Sequence, residues 1–177
     1  MKIRNGFVSN SSSSSFVVAF DKEPQNEKDV HKMMFNEEKF HYNPFNWSLD
    51  FEKNPEETEK YDAYEISCRI FEEIQKRKQA TKEEMVESVA NGLVDYSSTG
   101  LKKYEDKNGK VDWEKTNKEE YRLGKEKIKK FIEKNKNKVF YVFSFSDNKN
   151  EFDAMLEHTH IFKNLKNILN RRINYED

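Results

Sequence analysis

A chain of 177 residues with a formal net charge of −1, 37% charged residues and 14% aromatics is long enough for one domain around a single core. The balanced charge and aromatic content exclude a disordered polyelectrolyte and a DNA mimic, which would be acidic throughout. The single cysteine, Cys68, excludes an internal disulfide, fits a reducing compartment and is expected to pack as a small apolar residue.

Residues 2–8 and 16–20 read as strands, and the five serines Ser11 to Ser15 read as the loop joining them. A serine run cannot bury enough apolar surface to order itself, but Gly6-Phe7-Val8 and Phe16-Val17-Val18-Ala19-Phe20 bracket this one. Pro24 ends the second strand, because proline has no ladder donor. Val30, Met33 and Met34 share one face of a helix expected over residues 26–35. Residues 36–56 show no clean period and hold Phe40, His41, Tyr42, Phe45, Trp47 and Phe51 with Pro44 and Pro55; an irregular segment this aromatic must fold onto the body or meet a partner.

A long helix is expected over residues 57–79, with Tyr64, Phe71 and Ile74 on one side and Ile66 and Ile70 nearby. Thr81-Lys82-Glu83-Glu84 is a capping box opening a helix with Met85, Val86 and Val89, and Gly92 stands where a C-terminal glycine belongs. Residues 95–110 are turn-rich, and a third long helix over 112–135 carries Tyr121, Ile128, Phe131 and Ile132 as its buried stripe. Val139 to Phe145 is nearly all β-formers and, apolar on both faces, is expected at the centre of the sheet. Asp147 to Asn150 is turn chemistry, with residues 151–157 returning as a hairpin strand; residues 162–169 fit a short helix or a strand. The expected fold class is α+β. One domain over residues 1–177 carries a mainly antiparallel sheet of N- and C-terminal strands, covered by helices from the middle of the chain. No apolar run approaches the ~20 residues of a membrane span, and serines interrupt the stretch after Lys2 and Arg4 before it forms a signal-peptide core.

Candidate sites compete with plainer roles. Ser11, Ser12, Ser13, Ser14 and Ser15 offer amides and hydroxyls for an anion, acceptors for phosphorylation or a close-contact surface; against these stands an ordinary connector. No Gly-Lys-Ser/Thr follows, so the tract is not a P-loop. Glu157-His158-Thr159-His160 holds the chain's one closely spaced histidine pair. On an extended segment His158 and His160 point the same way, and with Glu157 and Asp147 they are the candidates for acid–base catalysis on a nucleotide or nucleic acid. No metal or other cofactor is expected, because zinc needs three or four ligands. Residues 118–138 hold nine basic and four acidic residues, so Lys125 to Lys138 permits nucleic-acid contact. Interleaved glutamates and the scarcity of arginine favour a solvated helix face instead. Phe40, Tyr42, Phe45 and Trp47 are the candidates for partner contact, since aromatics supply large interface areas.

The opening Arg4-Asn5-Gly6-Phe7-Val8-Ser9-Asn10, with Ser11–Ser15 and Phe16, resembles the N-terminus of a group of small, mostly uncharacterised proteins of tailed bacteriophages and prophages. The likeness covers about sixteen residues, with a weaker one from Phe143 to Asn148 and on to Leu156-Glu157-His158. The group brings no reaction or catalytic residues. It implies a phage product in the host bacterial cytoplasm, expected to bind and inhibit a bacterial protein or ribonucleoprotein complex, with anti-CRISPR action as one form. An enzyme using the histidine segment and a virion or assembly component are the alternatives.

Overall fold

In chain order the computed structural model has β1 (Ser13–Phe20), α1 (Glu27–Phe35), β2 (Phe40–Asn43), β3 (Ser48–Phe51), α2 (Ala63–Gln75), α3 (Lys82–Ala90), α4 (Ser98–Leu101) running into a 3-10 turn (Lys102–Tyr104), α5 (Trp113–Lys134), β4 (Val139–Ser146) and β5 (Ile168–Asn170). The structure describes residues 13–35, 40–43, 48–51, 63–90, 93–146, 153, 156 and 167–170, and for 13, 40–43, 48–51 and 170 the backbone alone.

The fold is α+β, and its sheet joins the two ends of the chain. β1 lies between β4 and β5 and is antiparallel to both, with Phe20 opposite Val139, Ser13 opposite Ser146 and Val17 opposite Leu169. Alternation along β1 sends Phe16, Val18 and Phe20 to one face and Val17 and Ala19 to the other. On the first face they pack with Val30, Met34, Ile66 and Ile70 of α1 and α2; on the second, with Val86, Val89, Ile128 and Phe131 of α3 and α5. Helix pairs therefore cover both faces. Val17, Val18, Ala19 and Phe20 are at most 1% exposed, which is the burial of a central strand.

Two expectations about this sheet are corrected. The central strand is β1; β4 flanks it, with Val142, Ser144 and Ser146 only half-buried. And the serine tract is not wholly a loop: Ser13, Ser14 and Ser15 are ladder residues opposite Ser146, Phe145 and Ser144. Pairing with β4 makes strand of a run whose composition reads as linker. The expected strand over 2–8, with Ser11 and Ser12, lies outside the described residues.

The outer edge of β4 is closed by the chain leaving α2. The Ala80 amide donates to the Phe140 carbonyl at 2.7 Å, and Arg77 Nη1 donates to the Val142 carbonyl at 3.2 Å. Those carbonyls are two residues apart and so point the same way; an edge that would otherwise invite another strand is satisfied. On the β5 side, the Ala19 amide donates to the Asn167 carbonyl at 2.8 Å, and Asn167 Nδ2 donates to the carbonyls of Ala19 and Met33 at 3.2 and 3.3 Å.

The helices follow their signals with local differences. α2 ends at Gln75 rather than 79, because Lys76 and Arg77 amides turn back to Glu73 and Ile74 carbonyls. Tyr64 is 40% exposed and donates to Glu27 at 3.0 Å. The capping box forms: the Thr81 amide donates to Glu84 Oε2 at 2.8 Å, and the Glu84 amide to Thr81 Oγ1 at 3.2 Å. On α5 the buried stripe takes Gly124 and leaves Tyr121 37% exposed. A Cβ on Gly124 would lie 3.0 Å from Ala90 Cβ and 3.3 Å from the Val86 carbonyl, so the missing side chain is what brings α5 against α3. Residues 36–56, expected to be irregular, contain the antiparallel pair β2–β3 with Phe40 opposite Phe51 and Tyr42 opposite Leu49. Aromatics at both parities hid the period of two. Asp153 and Leu156 have helical backbone, which corrects the expected return strand over 151–157; the strand that joins the sheet is β5.

Candidate functional site

Asp112 caps α5, its Oδ1 accepting from the Lys115 amide at 3.1 Å, and this fixes Trp113 as the first helical residue. Seventeen positions earlier, an Asp95 turn fixes Tyr96. Asp95 accepts from the Ser97 amide and hydroxyl, both at 2.9 Å, and Ser97 Oγ accepts from the Gly100 amide at 3.0 Å. Gly100 is required here, since a Cβ would meet the Asp95 carbonyl oxygen at 2.3 Å. The two anchored aromatics stack, with ring centroids 6.5 Å apart and planes 23° from parallel. Trp113 is nonetheless 54% exposed and Tyr96 47%.

Tyr96 is tied at its far end as well. Its hydroxyl donates to Glu120, a carboxylate only 5% exposed. Burial first, then the bond to Glu120 and its negative charge, pushes the Tyr96 phenol up to about 12. The phenol keeps its proton at neutral pH and stays a donor. Beside it, Tyr104 is 7% exposed, its hydroxyl has no hydrogen-bond partner among the described residues, and Lys103 Nζ sits 4.9 Å from its ring centroid. The result is an aromatic surface whose orientation is set before any partner arrives.

An open groove of about 380 Å³ runs along the junction of α3 and α5. Val86 and Tyr121 supply its apolar lining and Lys82, Lys125 and Lys129 its positive charge, with Glu83 and Glu126 at its sides. Lys125 Nζ lies 4.4 Å from the Tyr121 ring centroid. Glu126 is engaged by Arg122, which also holds Glu119.

Of the residues singled out from sequence, the structure places some and leaves others aside. Ser14 is 3% exposed on the α1–α2 face, and Ser15 Oγ meets Ser144 Oγ at 3.5 Å; Ser13 is placed by register alone. Phe40 and Tyr42 are placed by the backbone of β2. Ser11, Ser12, Phe45, Trp47, Asp147, Glu157, His158 and His160 lie outside the described residues. Among the described residues, no three His, Cys, Asp or Glu side chains gather as metal ligands. Lys125 and Lys129 of the lysine-rich stretch converge with Lys82 of another helix, which composition along one helix does not show. Tyr96 and Trp113 were missed. The available signal was their setting, since an aromatic placed in a polar turn or directly after a helix cap has no place in a periodic apolar stripe.

Comparison with protein-family models, with curated proteins and with solved structures found no match.

Proposed function

We propose that this chain is a phage-encoded protein of the host bacterial cytoplasm that binds and blocks a bacterial protein or ribonucleoprotein complex, with inhibition of a CRISPR effector as one concrete form. The resemblance at residues 4–16 supports the phage setting. The observation that carries binding is the Tyr96–Trp113 pair: two stacked, roughly half-exposed aromatics, held by the Asp95 turn, the Asp112 cap and the bond to Glu120. Trp and Tyr dominate the energetics of protein interfaces, and side chains already locked in place lose little entropy on binding. Among the described residues, no helix is long and apolar enough to cross a membrane.

The test is made in bacteria carrying an active CRISPR system. Expression of the chain is expected to restore plating of a targeted phage and to recover a stoichiometric host complex on the affinity-tagged protein. Trp113→Ala is expected to abolish both while leaving the melting temperature unchanged. Recovery of no stoichiometric partner from infected cells overturns the reading.

A further inference from the structure

We propose that the groove between α3 and α5 binds a short stretch of single-stranded nucleic acid, with successive phosphates on Lys82, Lys125 and Lys129 and a base against Tyr121. The charge is assembled from two elements, Lys82 at the start of α3 and Lys125 and Lys129 on α5. The acids beside it are unequal in effect. Glu126 shares Arg122 with Glu119, whereas Glu83 has no ion pair among the described residues, and Lys129 is paired with Glu133 only at 3.9 Å. The lining itself sets three lysines against Glu83 and Glu126, a formal excess of one positive charge at the mouth of the groove.

Tyr121 supplies the second half of the recognition. It is 37% exposed, although its position on α5 was expected to make it core, and it stands over a groove whose floor includes Val86. An aromatic face beside a row of ammonium groups is the arrangement on which single strands stack their bases and rest their backbones. Lys125, 4.4 Å from the ring centroid, sits where base and phosphate meet.

The shape favours a strand over a free nucleotide. Small-molecule pockets bury about 70–90% of their ligand, whereas this is an open trough between two helices. Lys125 and Lys129 stand one turn apart, about 6 Å along the axis, a step comparable with that between neighbouring phosphates of an extended strand. The inference does not depend on the host-complex reading, because it concerns the chain and bare nucleic acid alone.

Fluorescence anisotropy of a labelled oligothymidylate of about 12 nucleotides, within the range of single-strand site sizes, tests it on the purified full chain. Binding is expected at low salt, with log K falling against log salt at a slope of about −2 for three phosphate contacts. Lys125→Glu/Lys129→Glu is expected to weaken binding at least about tenfold, and Tyr121→Ala at least about fivefold, the lower end of a stacking contribution. The charge-matched Lys107→Glu/Lys130→Glu pair, on exposed positions outside the groove, is expected to change affinity less than about twofold if contact is local. All these positions are on the surface, and an unchanged circular-dichroism spectrum verifies folding. No binding at low salt, an equal loss from the matched pair, or competition by free thymidylate at the same nucleotide concentration as the oligomer would each overturn the proposal.

Discussion

Arg69 grips Asp153 with two parallel hydrogen bonds, Nε to Oδ1 at 3.2 Å and Nη2 to Oδ2 at 3.3 Å. The Asp153 side chain is fully buried and that of Arg69 is 20% exposed, so the pair ties α2 to the stretch between β4 and β5 in a site largely shielded from water. Removing one partner takes the two parallel bonds from the other in a largely buried site, and breaking such a pair costs about 3–5 kcal/mol. Arg69→Met is therefore expected to lower the melting temperature by about 6–20 °C at this chain length. Arg69→Met/Asp153→Leu is expected to lose less than the sum of the single changes, with a coupling of about 1–3 kcal/mol in urea unfolding. Strict additivity would mean that the two side chains do not act as a pair.

Glu73 extends the same network toward β4. It meets Arg69 at 3.1 Å, Lys76 at 3.4 Å and Arg77 at 3.0 Å, and Arg77 continues to the Val142 carbonyl. Burial pushes the Glu73 carboxyl up, but the bonds from Arg77 and the charge of Arg69 outweigh it and hold the group below its ordinary 4.5. A folded-state pKa below the unfolded one means that the unfolded chain binds more protons in acid. This stability is present above 4.5 and is lost as pH falls through the lower folded value. The urea midpoint of the wild type is expected to drop steeply below pH 4.5, and Glu73→Gln to flatten that limb while lowering the midpoint at neutral pH.

The α3–α5 crossing rests on Gly124. Gly124→Val forces a branched side chain against Ala90 and the Val86 carbonyl, and overpacking of this kind costs about 1–3 kcal/mol. Ala90→Gly removes the Cβ that would lie 3.0 Å away. Adding it to Gly124→Ala is expected to relieve part of the clash, with Ala90 Cα at 3.2 Å and the Val86 carbonyl at 3.3 Å still close, so that Gly124→Ala is less destabilising in the Ala90→Gly background than in the wild type. A Gly124→Val protein as stable as wild type would show that the two helices separate freely here.

Tyr96 governs the alkaline side. Its folded pKa, about 12, lies above the ordinary 10, so the folded state holds this proton more tightly. The contribution is complete below pH 10 and disappears as pH rises through about 12. The tyrosinate absorbance of the wild type minus that of Tyr96→Phe is expected to show one step near pH 12. A step near 10 would mean that the bond to Glu120 is absent in solution.

How much of this was legible from residues depends on the range of the interaction that decides each feature. The Thr81–Glu84 cap and the β-former run Val139 to Phe145 are written in consecutive residues, and both form over the residues that signal them, although the strand flanks the sheet's centre. The rank of β1 in the sheet is not local: it follows from Val139–Ser146 and Ile168–Asn170 arriving on its two sides, while its own first residues are serines. Tyr121 and Gly124 are one turn apart on α5, and only the facing Ala90 decides which of them is buried. The aromatic surface was the least accessible. Tyr96 and Trp113 share no period, and they are fixed by a hydrogen bond from Tyr96 to Glu120 and by the Asp112 cap, whereas the sequence directed attention to the dense aromatics of 36–51.

The position of β1 also sets a timetable for synthesis. Ser15 and its ladder partner Ser144 are 129 positions apart, and at about 5–20 residues per second the ribosome needs roughly 6 to 26 seconds to make the second after the first. Through that interval Phe16-Val17-Val18-Ala19-Phe20 is an apolar strand with neither neighbour yet made, open to any other unpaired edge in the cell. Among the described residues, the helices of the middle segment are the native cover available to it before β4 emerges.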